Sequence, residues 1–280
     1  MSTMFATESS PSSSARPSAI SRTSVRVALA NAFGLSHRGL VRPDNEDAFL
    51  IAQDLCLYAV ADGMGGAAAG EVASRLAIDA VRAVFHDPDA TCPTGVDPNS
   101  VATDLPLLVA GVERANAQVH AMAKADSSKA GMGTTFTGLL LLKGHAAIAH
   151  VGDSRAYRLR NGGLELLTHD HTLVDELVRT GTMSHEDAER STIRHILSRA
   201  VGTHPTVEVD SRFVAIEPGD TFLLCSDGLH GVVGDDDIRA TLLSAGDLTR
   251  AAAQLIEAAN DAGAPDNVTV VLVRVGDPVA

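Results

Sequence analysis

Val60-Ala61-Asp62-Gly63-Met64-Gly65-Gly66 joins an apolar run to a carboxylate and then to a glycine-rich turn. Residues 55–61 read as a buried strand. A helix of small residues is expected to start near Ala67, with Val72, Leu76, Ala80 and Val84 on one face. A strand end holds its last side chain firmly, and glycine lets the backbone turn or approach a bound group closely. The same construction recurs in Phe222-Leu223-Leu224-Cys225-Ser226-Asp227-Gly228. Asp153 in His150-Val151-Gly152-Asp153-Ser154-Arg155, Asp266 ahead of residues 268–275, and Asp47 beside residues 48–51 extend the series. Carboxylates at the tips of buried strands must be paired or must bind metal. Their number points to hard divalent cations.

Outward from that stretch, residues 25–36, 134–142, 145–151, 154–160, 164–167, 207–215, 221–226 and 268–275 read as strands. Asn161-Gly162 marks a hairpin turn. Residues 134–142 are apolar almost throughout, which suits a strand covered on both faces. Gly133-Thr134-Thr135 reads as the entry to that strand, since it lacks the Lys of a nucleotide-binding loop. Long helices are expected at 105–124 and 248–262, and another at 235–244, where three aspartates favour the helix dipole. Residues 169–202 change character and read as an inserted helical flap, with helices at 172–180, 184–190 and 193–200. Residues 86–100 read as a loop. Strands in hairpin succession, with helix pairs set apart, predict an α+β fold of antiparallel sheets covered by helices. The Ser/Pro/Thr-rich residues 1–24 read as a disordered leader, followed by one domain over residues 25–276.

The 280 residues carry a net charge of −13, which argues against a non-specific nucleic-acid binder. No apolar run reaches the length of a membrane span, and no signal core opens the chain. Cys56, Cys92 and Cys225 are odd in number and far apart. Cys56 and Cys225 lie in apolar runs and read as buried thiols, which fits a reducing cytosol.

Together, Arg42-Pro43-Asp44-Asn45-Glu46-Asp47, residues 60–66, Gly133-Thr134-Thr135, residues 151–155, Thr168-His169-Asp170-His171, residues 224–228 and Asp266-Asn267 resemble the metal-dependent Ser/Thr protein phosphatases. This is the PPM or 2C-type family, in its compact bacterial form. The resemblance covers residues 25–275. It implies a central antiparallel β-sandwich flanked by helix pairs on both sides (four layers, α/β/β/α), with the flap beside the active site.

It further implies that Asp62 bridges two divalent cations, Mn²⁺ or Mg²⁺, and that the Gly63 carbonyl binds one of them. Asp227 and Asp266 hold the other. Glu46 and Asp47 hold metal-bound waters. Asp153, with Asp227, forms a weaker third site. Arg42 grips the substrate phosphate. Asp62, Asp227 and Arg42 are thus the expected catalytic set. The implied substrates are phosphorylated Ser/Thr proteins, with a cognate Ser/Thr kinase as the opposing partner. Neither nucleic acid nor membrane is expected as a partner, and the enzyme is expected to be a cytoplasmic monomer. Oxygen-only ligation suits Mg²⁺ or Mn²⁺, and the planar fork of arginine suits a phosphoryl group. Met64 stands where many eukaryotic relatives carry a histidine, so the leaving-group proton would come from elsewhere. His37, His169 and His171 read as structural.

Overall fold

The structure, a computed structural model, describes residues 30–65, 69–86 and 101–276. The expectations for the leader, for residues 25–29, for Cys92 and for the loop at 87–100 lie outside the described residues.

The first strand, β1 (Ala30–His37), is followed by β2 (Asp47–Ala52) and β3 (Leu57–Met64). Helices α1 (Ala69–His86) and α2 (Val101–Ala125) come next. Four strands follow: β4 (Gly133–Thr134), β5 (Phe136–Leu142), β6 (His145–Val151) and β7 (Arg155–Arg160). The hairpin partner β8 (Gly163–Leu166) leads into short helices α3 (Leu173–Arg179) and α4 (His185–Glu189). Then come β9 (Asp210–Ala215), β10 (Thr221–Cys225), the single-turn α5 (Asp227–His230), α6 (Asp235–Ser244), α7 (Leu248–Asp261) and β11 (Val268–Val275).

Two antiparallel sheets form. One runs β1-β11-β10-β7-β8. The other runs β2-β3-β5-β6-β9, with β4 beside the end of β3. Strand alternation sorts the side chains into three apolar layers. Tyr58, Val60, Leu139, Leu141, Phe222, Leu224, Val271 and Val273 pack between the sheets. The opposite faces of the same strands send Leu57, Ala59, Leu140 and Leu142 against α1 and α2. On the far side, Leu223, Cys225, Val270 and Leu272 pack against α6 and α7. The four-layer α+β architecture is the expected one. β5 is buried at every residue, because it is a central strand with helices on one side and the second sheet on the other.

α7 shows how the outer layers attach. Its buried residues Leu248, Ala251, Ala252, Leu255, Ile256 and Ala259 form one stripe. Asp247 caps it, its Oδ1 accepting from the Arg250 N–H at 2.8 Å. Cys225 is a buried free thiol and Cys56 is also buried.

Three expectations need correction. The strand expected to end at Asp62 runs on through Gly63 and Met64, because these two pair with Thr134 and Gly133 of β4. Residues 193–200 are not a helix. They form turns that close with an isolated bridge between Thr172 and Leu197. Ile193, Ile196, Leu197 and Ala200 carry helical spacing, but Ile196 is exposed and the backbone bonds outward, the Leu173 N–H donating to the Ile196 carbonyl. The strand expected from Val207 begins only at Asp210, where pairing with His150 starts.

Candidate active site

β2 and β3 pair so that Asp47 lies directly across from Asp62, which puts the two side chains on one face. The Asp62 backbone is clamped by the residues before β5. Its N–H donates to Thr135 Oγ1 at 2.9 Å, and its carbonyl accepts from Thr134 Oγ1 and from the Thr135 N–H, each at 2.8 Å. Thr135 Oγ1 also pairs with Ser154 Oγ at 2.7 Å. The strand carrying Asp62 is thereby tied to the turn carrying Asp153.

Asp227 opens α5. Ser226, just before it, donates from Oγ to Asp47 Oδ2 at 2.8 Å and accepts from the Thr269 N–H at 2.9 Å. A Cβ at Gly228 would sit 1.9 Å from the Asn267 carbonyl. Only glycine lets the turn below Asp227 lie against the loop of Asp266. His230, one turn along, approaches the Asp153 carbonyl through Nε2 at 3.0 Å.

Asn267 fixes the last corner. Its amide donates to the Arg38 and Asp44 carbonyls at 2.9 Å each, and its Oδ1 accepts from the Glu46 N–H at 2.8 Å. The loop bearing Arg42 is held against Asp266, whose Oδ2 accepts from Arg42 Nη2 at 2.6 Å. Gly63 lies so close to Gly70 that a Cβ would fall 2.1 Å from the Gly70 carbonyl.

These elements leave a cleft of about 860 Å³, and Arg42, Glu46, Asp62, Gly63, Asp153, Asp227 and Asp266 all line it. Asp47 does not; it is buried beside Asp62 on the neighbouring strand. Met64 and Thr135 border the cleft, as do Arg194, His195 and Ile196 from the flap. His195 Nδ1 comes within 3.9 Å of Asp227 Oδ2. His195 was not singled out in the sequence, because a residue of an expected flap helix gives no sign of reaching a strand-end acid. Ser226 and Asn267 stand beside acids in the quoted motifs and Thr135 lies in the motif at 133–135, but their bonds are tertiary and invisible in sequence. His37 and His171 accept backbone N–H bonds through Nδ1, from Gly39 at 3.1 Å and from Gly152 at 3.0 Å.

The electrostatics are strongly one-sided. Burial, and then the charges of Asp47, Asp227, Asp153 and Asp266, push the Asp62 carboxyl well above its usual range. Burial and Asp227 do the same to Asp153. Asp227 is raised by burial and Asp266, against the pull of His195 and Arg42. Glu46 is raised by partial burial. Asp47 is pushed up to about 7, chiefly by burial.

The donor set fits hard divalent cations. It consists of carboxylate oxygens and a backbone carbonyl, and Oδ1 of Asp227 and of Asp47 are buried with no hydrogen-bond partner. Among the described residues, no three His, Cys, Asp or Glu side chains are gathered tightly enough to chelate one ion by themselves. The acids are spread over the cleft wall, an arrangement suited to cations that keep most of their water.

Two antiparallel sheets between helix layers, with strand-end acids converging on one cleft, define a class of hydrolase. The protein phosphatase 2C sequence profile matches residues 34–272. The serine/threonine phosphatase stp of Listeria welshimeri is 38% identical over 240 residues, 85% of this chain and 92% of that protein. The crystal structure of the Mycobacterium tuberculosis serine/threonine phosphatase PstP/Ppp superposes with a TM-score of 0.79 at 38% identity, over 89% of this chain and 99% of that one. A structure of the PstP catalytic domain in complex with two manganese ions gives a TM-score of 0.76 at 38% identity, with the same coverage. The chain belongs to the protein phosphatase 2C family.

Proposed function

We propose that residues 25–276 form a catalytic domain that hydrolyses phosphoserine and phosphothreonine in proteins, using Mn²⁺ or Mg²⁺ held by the cleft acids. The observation that carries this reading is the convergence of Asp62, Asp153, Asp227, Asp266 and Glu46 on one cleft beside Arg42. The two manganese ions of the PstP complex support it.

Asp62, with the Gly63 carbonyl, would hold the cations from the β3 side, and Asp227 and Asp266 from the α5 and β11 side. Asp153 would share a further, weaker position with Asp227. Glu46 and Asp47 would act through water. When bound, the cations supply Lewis acidity to the phosphoryl group and acidify water in the cleft.

The chain's own groups orient the reaction. Arg42, half exposed at the rim, presents a planar fork to the phosphoryl oxygens, and its contact with Asp266 aims it into the cleft. Asn267 holds the backbone on which Arg42 and Glu46 sit. Thr134 and Thr135 keep the Asp62 carboxylate at a fixed place, so little reorganisation is needed as charge develops. Met64 can neither donate nor accept a catalytic proton. His195 has an ionisable ring within 3.9 Å of Asp227.

The substrates would be products of a Ser/Thr kinase in bacterial signalling, and the enzyme would act as a cytoplasmic monomer. Among the described residues, no helix is long and apolar enough to cross a membrane. The deciding experiment follows phosphate release from a phosphothreonine peptide with Mn²⁺, with Mg²⁺ and with chelator. Release that needs the cation and disappears in Asp227→Asn is expected. Equal release in chelator, or full activity of Asp227→Asn, would overturn the assignment.

A further inference from the structure

Gly39-Leu40-Val41-Arg42 turns between β1 and the loop to β2. Leu40 is 62% exposed and Val41 68% exposed, the two most exposed of the large apolar side chains among the described residues. One exposed aliphatic residue needs no explanation. Here two occur in succession, on a backbone that is firmly held. The Leu40 N–H donates to the Ala264 carbonyl at 3.0 Å. Asn267 binds the carbonyls of Arg38 and Asp44 on either side, and Arg38 Nη1 reaches the Pro43 carbonyl at 3.3 Å. Gly39 adopts φ +75°, and a Cβ there would lie 2.1 Å from the Asp266 carbonyl. The turn is therefore shaped to lie on the Asp266 loop, with Leu40 and Val41 turned out to water. The next residue along is Arg42, which lines the cleft.

We infer that Leu40 and Val41 form a preorganised apolar rim that docks an aliphatic side chain of the phosphoprotein substrate, close in sequence to the phosphorylated residue. The inference rests on the proposed role of Arg42 at the substrate phosphate. An extended peptide advances about 3.3–3.6 Å per residue. Side chains one or two positions from a phosphoresidue seated at Arg42 thus fall within about 7 Å, the most that the two residues preceding Arg42 can span. Because the loop is already tied down, little ordering opposes the contact. Ile196, 47% exposed and also lining the cleft, offers a further apolar surface to the same ligand. The occupant is thus an extended phosphopeptide with an aliphatic flank, in preference to an acidic or purely polar one.

The test compares two phosphothreonine peptides that differ only in Leu or Ser at the flanking positions. Both are assayed with Mn²⁺ on the full chain and on the Leu40→Ser/Val41→Ser variant. The wild type is expected to favour the Leu peptide by about fivefold in kcat/KM, chiefly through KM. The double variant should lose that preference, and a Leu40→Met/Val41→Leu variant should keep it. A wild type indifferent to the flank, or a double variant that keeps the preference with an unchanged unfolding midpoint, overturns the inference and leaves the phosphatase reading intact. No turnover of either peptide by the wild type overturns both. Sedimentation of the two proteins covers the alternative occupant. A wild-type dimer that the double variant converts to monomer would assign the rim to a second copy of the chain and overturn the inference.

Discussion

Replacing Asp47 by Asn in chelator-treated protein isolates the electrostatic cost of the acid cluster. The Asp47 carboxyl is pushed from 3.8 to about 7, first by burial and then by the charges of Asp227 and Asp266, with hydrogen bonds from Thr269 and Ser226 opposing. An acid raised in the folded state holds its proton while the unfolded chain releases it. Its presence therefore lowers stability as pH rises from about 4 to about 7, by about 1.4 kcal/mol per pH unit and about 4 kcal/mol in all. Buried histidines act in the opposite direction. His150 and His230 are each pushed down to about 4 by burial, so their contribution to stability grows as pH rises towards 6.5. The pH profile of the wild type alone would mix the two effects. The difference between Asp47→Asn and wild type does not. An amide also leaves a polar atom at the partnerless Oδ1 position, a penalty of about 1–3 kcal/mol that is constant with pH. Urea unfolding of both proteins at pH 4, 5.5 and 7.5 measures the gap. The variant should gain about 4 kcal/mol relative to wild type across that range. A gap that stays constant within about 1 kcal/mol, or that narrows as pH rises, refutes the reasoning.

Arg42→Lys should lower kcat/KM for phosphopeptides by about 10²-fold, because an ammonium cannot reproduce the forked contact with a phosphoryl group; steady-state kinetics would show it, and near-wild-type values would remove Arg42 from the site. Asn267→Ala deletes the bonds to Arg38, Asp44 and Glu46 and should cost about 2–4 kcal/mol of stability, read by urea denaturation, together with a rise in KM as the Arg42 loop loosens. Gly228→Ala forces a Cβ to within 1.9 Å of the Asn267 carbonyl; Mn²⁺ affinity and kcat should both fall as α5 is displaced with Asp227, and unchanged values would show that the turn is free to move.

The positions of the acids were legible in sequence because each follows or precedes an apolar run, and such a run stops near the end of a buried strand, where side chains leave the core. Asp62 after residues 57–61 and Asp227 after residues 221–225 are the clearest cases. The two sheets were legible from the same runs, since a strand buried on both faces, as β5 is, implies layers above and below. What sequence did not disclose was the set of bonds between distant segments. Ser226 reaches Asp47 and Asn267 reaches Arg38 across most of the chain, and neither pairing leaves a periodic trace. Residues 193–200 misled for a physical reason. Their apolar spacing is helical, but it serves a cleft wall and a bridge to Thr172, so local pattern lost to tertiary pairing. The placing of Asp47 beside Asp62 follows from strand register alone, which no single stretch records.

The central claim is that the cleft acids hold divalent cations, and equilibrium Mn²⁺ binding tests it most directly. Calorimetric titration of the chelator-stripped chain should show two or more ions per chain. Asp62→Asn should lose at least one of them while remaining folded. An Asp62→Asn protein that binds as many ions as the wild type, with the same affinity, would contradict the account.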